Sequence, residues 1–272
     1  RHVRQRVGER MGKRGLMHGP SLDWEPMSIG EVTLVGGGPG EWDLLTIRGL
    51  RALEAADVIL TDHLGPSSQL EDFLDVSSKE LIDVAKLPYG KQVAQERTNE
   101  LLVEHALAGK RVVRLKGGDP YVFGRGFEEL QVCAVAGVPC RVVPGVTSAI
   151  SVPAAAGVPV TQRGVTHSFT VVSGHLAPSN PESLVDWEAL ARVGGTICVI
   201  MGVRHVREIA AALVGAGLPS STPAVAVHEG ETASQRVVHA TASTLADAME
   251  AEGIASPAVY VIGEVAGLAS AG

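Results

Sequence analysis

Short β-rich runs alternate with helix-like segments from Ile29 onward, and this alternation limits the chain to an α/β fold. Hydrophobic residues make up 45% of the chain and aromatic residues only 4%, so we predict a core of small aliphatic side chains. The strand-like runs of the first half are Val32–Val35, Val58–Thr61, Leu81–Ala85 and Arg111–Leu115. The helix-like segments are Leu45–Ala56, Glu96–Ala108 and Phe127–Ala136. The order predicts a mainly parallel sheet covered by helices.

A stretch rich in small residues and proline, from Pro144 to Pro159, interrupts the alternation. The segments after it are strand-like at Phe169–Ser173, Thr196–Met201, Ala224–His228 and Val259–Ile262, and helix-like at Val206–Val214 and Leu245–Ala251. We therefore predict two α/β domains, at residues 29–143 and 144–272, with a ligand-binding cleft between them. Residues 1–28 are rich in Arg, Gly and Met and are predicted to form a disordered basic tail or linker.

The charge balance of the chain argues against a nucleic-acid-binding protein, because the net charge is −7 and the pI is about 5.7. The three cysteines, Cys133, Cys140 and Cys198, lack the spacing of metal ligands and predict a reduced, cytoplasmic protein with no bound metal. No apolar run approaches the roughly 18 residues that a membrane-spanning helix needs.

The first strand-like run leads into the glycine-rich turn Val35-Gly-Gly-Gly-Pro-Gly40. A dinucleotide-binding turn has the pattern Gly-x-Gly-x-x-Gly, and its last glycine lets the helix pack closely on the strand. Counted from Gly36, that position is Glu41, whose carboxylate would face a pyrophosphate, and Pro39 makes the turn rigid. The turn therefore indicates a different adenosine-bearing or small ligand, or a tight turn alone.

A second glycine-rich loop, Arg114–Gly126, follows another strand-like run. Adjacent glycines at Gly117 and Gly118 let a ligand approach the backbone, and Asp119 can accept hydrogen bonds from a ribose or an ammonium group. The alternative is an Asp-Pro turn that only reverses the chain. The length, glycine content and charge of the loop favour the functional interpretation.

Asp62 and Lys86 each follow a strand-like run, where α/β folds place their chemistry, and they can act as proton acceptor and donor. On residue type alone, a surface aspartate and a solvated lysine are the favoured interpretation. Residue type likewise favours a helix N-cap for Thr147 and Ser148, and a core position for Met201.

Taken in order, these loops resemble the uroporphyrinogen-III C-methyltransferases of the tetrapyrrole methylase superfamily, from about Glu31 to Leu268. The motifs that carry the resemblance are Val35-Gly-Gly-Gly-Pro-Gly40, Asp43-Leu-Leu-Thr46, Ala56-Asp-Val58 with Asp62, Arg114-Leu-Lys-Gly-Gly-Asp-Pro-Tyr-Val-Phe-Gly-Arg-Gly126, Val143-Pro-Gly-Val-Thr-Ser-Ala149, Gly157-Val-Pro-Val-Thr161, Ser173-Gly-His175, Met201-Gly202 and Ser256-Pro-Ala258. Each motif is weak evidence by itself, whereas the ordered set is specific.

The resemblance implies two α/β domains of the tetrapyrrole methylase type, a homodimer, and S-adenosylmethionine bound in the interdomain cleft instead of on a Rossmann helix. It implies methylation of uroporphyrinogen III at C2 and C7, which yields precorrin-2 for sirohaem or cobalamin synthesis and S-adenosylhomocysteine. Asp62 would be the proton acceptor and Lys86 the proton donor. The residues implied to contact the cofactor are Pro39, Gly117, Gly118, Asp119, Val122, Thr147, Ser148, Met201 and Gly230.

The tetrapyrrole implied as substrate carries acetate and propionate groups, so an acidic protein must gather cations at its binding site. The predicted substrate-binding residues are Arg125, Arg163 and His167, with Lys91 and His175 as further candidates. The chain departs from the family pattern at Glu41 and around Asp62 and Lys86. The open alternatives are a precorrin C-methyltransferase that acts on another carbon, and a non-catalytic cofactor-binding module such as half of a fused sirohaem synthase.

Overall fold

In the computed structural model the described residues are 28–62, 64–86 and 91–269, with only the backbone described at 86 and 91–94. All of the predicted basic tail except Ser28 lies outside these ranges. The first half contains the strands β1 (Glu31–Gly36), β2 (Val58–Thr61), β3 (Glu80–Asp83), β4 (Arg111–Lys116) and β5 (Cys140–Val143). Its helices are α1 (Ile47–Ala55), α2 (Leu70–Phe73), α3 (Lys91–Leu107) and α4 (Gly126–Val135).

The first sheet has the order β3-β2-β4-β1-β5, and each neighbouring pair is parallel. Alternate residues of a strand face opposite sides of the sheet, so β4 divides its side chains between two cores. Val112 packs in a cluster with Leu102 of α3 and Cys133 of α4, whereas Val113 packs with Leu53 of α1. The predicted parallel, helix-covered sheet is confirmed, and its carboxyl ends share one edge.

The second half contains a mixed sheet with the order β6-β7-β10-β8-β9. Its strands are β6 (Phe169–Ser173), β7 (Thr196–Ile200), β8 (Pro223–His228), β9 (Arg236–Thr241) and β10 (Ala258–Ile262). Its helices are α5 (Ser148–Ala155), α6 (Trp187–Val193), α7 (Val206–Gly215) and α8 (Leu245–Ala251). Only β6 and β7 pair in parallel, and the other three pairs are antiparallel. Helix α5 covers one face of this sheet, and α6, α7 and α8 cover the other.

Five helices and strands were not predicted from periodicity: β5, β9, α2, α5 and α6. Strand β9 lies at an edge of the sheet and is largely exposed, and its sequence Arg236-Val-Val-His-Ala-Thr241 lacks the strict alternation of a half-buried strand. Helix α5 is apolar on nearly every side and contains Pro153, so it lacks the one-sided pattern of a surface helix. The division at residues 143 and 144 stays a prediction, although each sheet draws its strands from one side of it.

No helix in the described ranges combines the length and apolar character needed to cross a membrane.

The ion pair between Asp57 and Arg111 connects the amino ends of β2 and β4, and we predict that it makes stability depend on pH. The Oδ2 atom of Asp57 accepts from the backbone N–H of Arg111 at 2.8 Å, and Oδ1 accepts from Nη2 at 2.8 Å. These hydrogen bonds lower the pKa of Asp57 from 3.8 to about 2. Because the pKa is lower in the folded state, the stabilisation is present above pH 3.8 and is lost as the pH falls towards 2.

Since the pair is partly exposed, solvent screening leaves a contribution of roughly 1 kcal/mol. We expect Asp57→Asn to lower the free energy of unfolding by that amount at pH 7 and by clearly less at pH 2.5. Urea unfolding of both proteins at the two pH values measures the difference. An equal loss at both values would contradict the assignment.

Candidate functional site

The loops that follow β1, β2 and β4 pack against one another at the carboxyl edge of the first sheet. The N–H of Gly118 donates to the carbonyl of Gly38 at 2.9 Å, and the N–H of Gly38 donates back at 3.2 Å. A methyl group added at Gly65 would lie 2.6 Å from the Gly38 carbonyl oxygen, and one at Gly117 would lie 2.5 Å from Cβ of Leu64. The two glycine-rich loops predicted from the sequence therefore form one wall, and side chains at these positions would separate them.

The segment after β5 joins this wall through Gly145. A methyl group at Gly36 would lie 2.5 Å from the Gly145 backbone, so the two chains touch without side chains between them. The carboxylate of Asp119 ties the loops together, because Oδ2 accepts from the Gly145 N–H at 3.0 Å and Oδ1 from the Tyr121 N–H at 2.8 Å. The sequence predicted that this carboxylate binds a ligand. In the structure it also accepts hydrogen bonds from the backbone of two segments and so connects them.

Helix α5 begins beside Gly118 and connects this wall to the second sheet. Thr147 is its N-cap, and its Oγ1 accepts from the Ala149 N–H at 3.3 Å. A methyl group at Gly118 would occupy space bounded by Ser148 N at 3.8 Å and Thr147 Cα at 3.9 Å. The start of α5 therefore lies within ordinary contact distance of a side chain at Gly118, and this places the α5 N-terminus beside the second glycine-rich loop.

Buried Cys198 of β7 fastens α5 to the second sheet. Its thiol donates to the Ala149 carbonyl across 3.5 Å. Burial raises the pKa of Cys198 to about 12, so the sulfur keeps the proton that it donates.

The turn after β8 contacts both halves of the structure, with Gly230 against α5 and Glu231 against the first glycine-rich turn. Its neighbours Glu229 and Glu231 have left-handed backbones, with φ of 46° and 64°. The N–H of Glu41 donates to the Glu231 carbonyl at 3.1 Å, and a methyl group at Gly230 would lie 2.5 Å from the side chain of Val152. Left-handed backbones at non-glycine residues cost roughly 1–3 kcal/mol each and concentrate at functional sites.

Met201 follows β7 in another left-handed turn, with φ of 57°, and its side chain is 46% exposed. The turn rests on Tyr260, whose hydroxyl donates to the Gly202 carbonyl at 3.4 Å. Burial raises the pKa of Tyr260, so this hydroxyl remains a donor. The exposure of Met201 argues against the core position that residue type favoured. Val122, from the second glycine-rich loop, packs against the same core cluster as Ile200, the residue before Met201.

Asp62 lies at the end of β2 and is held from two sides. Its Oδ2 accepts from Nη2 of Arg114 at 3.0 Å, and its Oδ1 accepts from the Leu64 N–H at 2.9 Å. The Asp62 side chain is 21% exposed, whereas that of Arg114 is 7% exposed. The carboxylate is therefore fixed in orientation and partly open to solvent, which differs from the surface aspartate that residue type alone favoured.

A buried charge cluster behind Asp62 was not predicted from the sequence. Arg114 and Lys116 project from the same face of β4, and both contact Glu129 of α4 at 3.3 and 2.9 Å. Burial and the neighbouring guanidinium lower the pKa of Lys116, and Glu129 partly offsets them. Two spacings in the sequence indicate this cluster. Arg114 and Lys116 are two residues apart in a strand and so share one face, and Glu129 is four residues before buried Cys133 and so lies on the buried face of α4.

The remaining predicted residues belong to several other segments of the chain. Lys86 ends a 3-10 turn after β3, and its side chain is outside the described part, as is that of Lys91. Arg125 precedes α4 and forms a two-point pair with Glu128 at 2.7 and 2.9 Å. Three further predicted residues are exposed: Arg163, His167 and His175. The Arg163 guanidinium has no carboxylate partner among the described residues.

Within residues 28–62, 64–86 and 91–269, no group of three His, Cys, Asp or Glu side chains is arranged to hold a metal ion.

Comparison with known proteins places this geometry among methyltransferases. Residues 31–246 match the family model of tetrapyrrole (corrin/porphyrin) methylases. The S-adenosyl-L-methionine-dependent uroporphyrinogen III methyltransferase of Methanosarcina barkeri is 44% identical over 238 residues, which cover 88% of this chain and 92% of that protein. Siroheme synthase 1 of Yersinia pseudotuberculosis is 45% identical over 248 residues, and the match spans 91% of this chain but only 51% of the synthase.

A similar solved structure is uroporphyrin-III C-methyl transferase from Thermus thermophilus in complex with S-adenyl homocysteine. It has a TM-score of 0.70 and 40% sequence identity, and the alignment covers 88% of this chain and all of that one. The similarity therefore extends over both sheets and the loops between them.

Proposed function

The chain belongs to the tetrapyrrole (corrin/porphyrin) methylase family, and from that membership we propose that it methylates uroporphyrinogen III at C2 and C7 with S-adenosylmethionine, giving precorrin-2. The observation that carries this proposal is the 44% identity to a methyltransferase of that specificity along 92% of its length. The converging loops supply the matching physical support, since their backbones meet at the carboxyl edge of a parallel sheet, where α/β folds bind ligands.

The cofactor site is proposed to lie where the loops after β1, β4, β5 and β8 meet. Its residues are Pro39, Gly117, Gly118, Asp119, Val122, Thr147, Ser148, Met201 and Gly230. Contacts among their loops support this grouping, because Gly118 lies against Gly38 and Ser148, and Glu231 bonds the first loop. The sulfonium methyl of S-adenosylmethionine is already electrophilic, so the protein's main task is alignment, which is worth roughly 7–11 kcal/mol at best.

Asp62 is proposed as the proton acceptor. A pyrrole carbon that takes up a methyl group leaves an N–H proton to be removed, and a carboxylate within hydrogen-bond reach can accept it. The two hydrogen bonds to Asp62 hold its carboxylate in one orientation, which supports this role. Lys86, at the end of the 3-10 turn that follows the neighbouring strand β3, is proposed as the proton donor.

Exposed cations are proposed to bind the carboxylates of the substrate. Arg163 lies in a turn before β6 that is closed by the Gln162–Thr166 bridge, and His167 directly follows this turn. Arg125 is included in the proposal, although its pairing with Glu128 means that a substrate carboxylate must compete for the guanidinium.

Arg163→Ala tests the substrate site. A charge-assisted hydrogen bond contributes roughly 1.5–3 kcal/mol, so we expect KM for uroporphyrinogen III to rise roughly 10- to 100-fold with little change in KM for S-adenosylmethionine. Steady-state kinetics with each substrate varied in turn measures both constants. Arg192→Ala, an exposed arginine on α6, is the matched control and should leave both unchanged. An unaltered KM in Arg163→Ala would remove this residue from the site.

Incubation of the protein with uroporphyrinogen III and S-adenosylmethionine tests the function itself. We expect two methyl groups to be added, detected by mass spectrometry and by the absorbance of the oxidised product. Binding of cofactor without turnover would instead indicate a non-catalytic module, as in half of a fused protein. Turnover of a methylated precorrin alone would indicate another C-methyltransferase of the family.

We also propose a cytoplasmic homodimer. Sedimentation equilibrium of the purified chain measures the oligomeric state, and a monomer across the accessible concentration range would contradict it.

A further inference from the structure

One buried carboxylate has no role in the function proposed above. Glu129 lies in the first turn of α4, and its side chain is fully buried. Its Oε1 accepts from Lys116, Arg114 and Gln95. Its Oε2 has no hydrogen-bond partner among the described residues. A buried carboxylate oxygen without a hydrogen-bond partner costs free energy, and such local exceptions are common at functional sites.

Arg114 links this carboxylate to the reactive edge of the sheet. Its Nε donates to Glu129 at 3.3 Å, its Nη1 to the Leu115 carbonyl at 2.7 Å, and its Nη2 to Asp62 at 3.0 Å. A guanidinium is planar and rigid, so groups that fix one side of it also fix the direction of the other. With three anchored nitrogens, Arg114 has a single orientation from which to hold Asp62.

We propose that Glu129 is a positioning residue for methyl transfer, which holds Arg114 so that Arg114 fixes the Asp62 carboxylate in its reactive orientation. The proposal rests on the proposed function and adds to it a residue that touches neither substrate nor cofactor. The competing explanation is that Glu129 only neutralises buried cations. The cluster is balanced, since Arg114 and Lys116 face Glu129 and Asp62.

Glu129→Gln keeps the shape and the acceptor oxygen of the side chain but removes its charge. We expect kcat to fall roughly 10- to 100-fold, the effect of a misplaced catalytic group, while KM for S-adenosylmethionine and binding of S-adenosylhomocysteine stay within twofold. Steady-state kinetics gives kcat and KM, and isothermal titration calorimetry gives the affinity for S-adenosylhomocysteine. A loss that appears in both KM and kcat would indicate a general structural effect and overturn the proposal.

A double-mutant cycle with Asp62→Asn separates positioning from stability. If Glu129 acts through Asp62, then Glu129→Gln causes no further loss of kcat once Asp62 is asparagine. The matched control is Asp57→Asn, which breaks the Arg–Asp pair at the opposite end of the same two strands. This control should leave kcat per folded molecule unchanged. Additive losses from Glu129→Gln and Asp62→Asn would overturn the proposal.

A charge-balanced variant covers the case in which Glu129→Gln does not fold. Lys116→Met combined with Glu129→Gln removes one buried charge of each sign and leaves the Arg114–Asp62 pair. We expect this double variant to fold and to show the same loss of kcat, whereas Lys116→Met alone should lose less. Wild-type kcat in the double variant would overturn the proposal. Absence of methylation by the wild-type protein would instead refute the function on which it rests.

Discussion

Replacement of Asp62 by asparagine should lower kcat roughly 10²- to 10⁴-fold, the range associated with loss of a general base. The amide keeps the size of the side chain and can still accept from the Leu64 N–H, but it cannot take up the pyrrole proton. Because the hydrogen bonds of Asp62 go to Arg114 and Leu64, and neither of these is among the residues proposed to bind the cofactor, KM for S-adenosylmethionine should stay within twofold. Single-turnover measurement of methyl transfer isolates this step from product release.

The control for Asp62→Asn is again Asp57→Asn, which makes the same carboxylate-to-amide change at the amino ends of the same two strands. Both variants lose a cross-strand ion pair, so a difference between them in kcat reports chemistry instead of stability. Wild-type turnover by Asp62→Asn would show that water or another group takes the proton. Equal losses in the two variants would attribute the effect to the fold.

The parallel, helix-covered character of the first sheet could be predicted from the sequence, because strand-like runs alternate with helix-like segments, whereas its strand order and β5 could not. Strand β2 agrees with its predicted bounds, and β1 and β4 differ by one residue at their ends. The second sheet has mixed strand directions, which depend on tertiary contacts that periodicity does not encode. Strand β9 pairs with its hairpin neighbour β8 and was missed because its sequence lacks the strict alternation of a half-buried strand.

The glycine-rich turns could be located from the sequence, but not their partners. The turn Val35-Gly-Gly-Gly-Pro-Gly40 indicated close backbone approach, and the structure identifies what approaches: Gly118, Gly145 and Glu231. These contacts join segments that are far apart in the chain, so no local pattern reveals them. The sequence likewise suggested a ligand for Asp119, whereas its hydrogen bonds to Tyr121 and Gly145 depend on the folded loops.

The charge cluster is the part of the candidate site that residue patterns concealed. Arg114 and Lys116 stand in a motif that was quoted for its glycines, and Glu129 looks like a surface residue of an amphipathic helix. Their burial becomes intelligible only when α4 packs on β4, because each charge then meets an opposite one. Charged side chains are rarely buried, and exceptions to this rule are expected at functional sites.

Gly145→Ala should destabilise the fold by about 3 kcal/mol and abolish measurable binding of S-adenosylhomocysteine. The added methyl group would lie 2.6 Å from Cα of Gly36 and would also collide with the carbonyl of Gly118, so it meets backbone atoms that cannot rotate away. Relief requires the loop after β5 to move away from the other two. That movement also breaks the hydrogen bond from Gly145 to Asp119 and opens the space beside Gly118. Urea unfolding and calorimetric titration with S-adenosylhomocysteine measure the two effects.

The matched substitution is Gly215→Ala at the end of α7, where an added methyl group meets no atom within 4 Å. It should leave binding intact and raise the free energy of unfolding by about 0.5–1 kcal/mol, because alanine loses less backbone entropy in a helix. Neither glycine has a left-handed backbone, so the comparison isolates steric overlap from conformational strain. If Gly145→Ala destabilises the protein but binds S-adenosylhomocysteine normally, the three-loop contact supports the fold alone. Unchanged stability would show that the loops do not touch in solution.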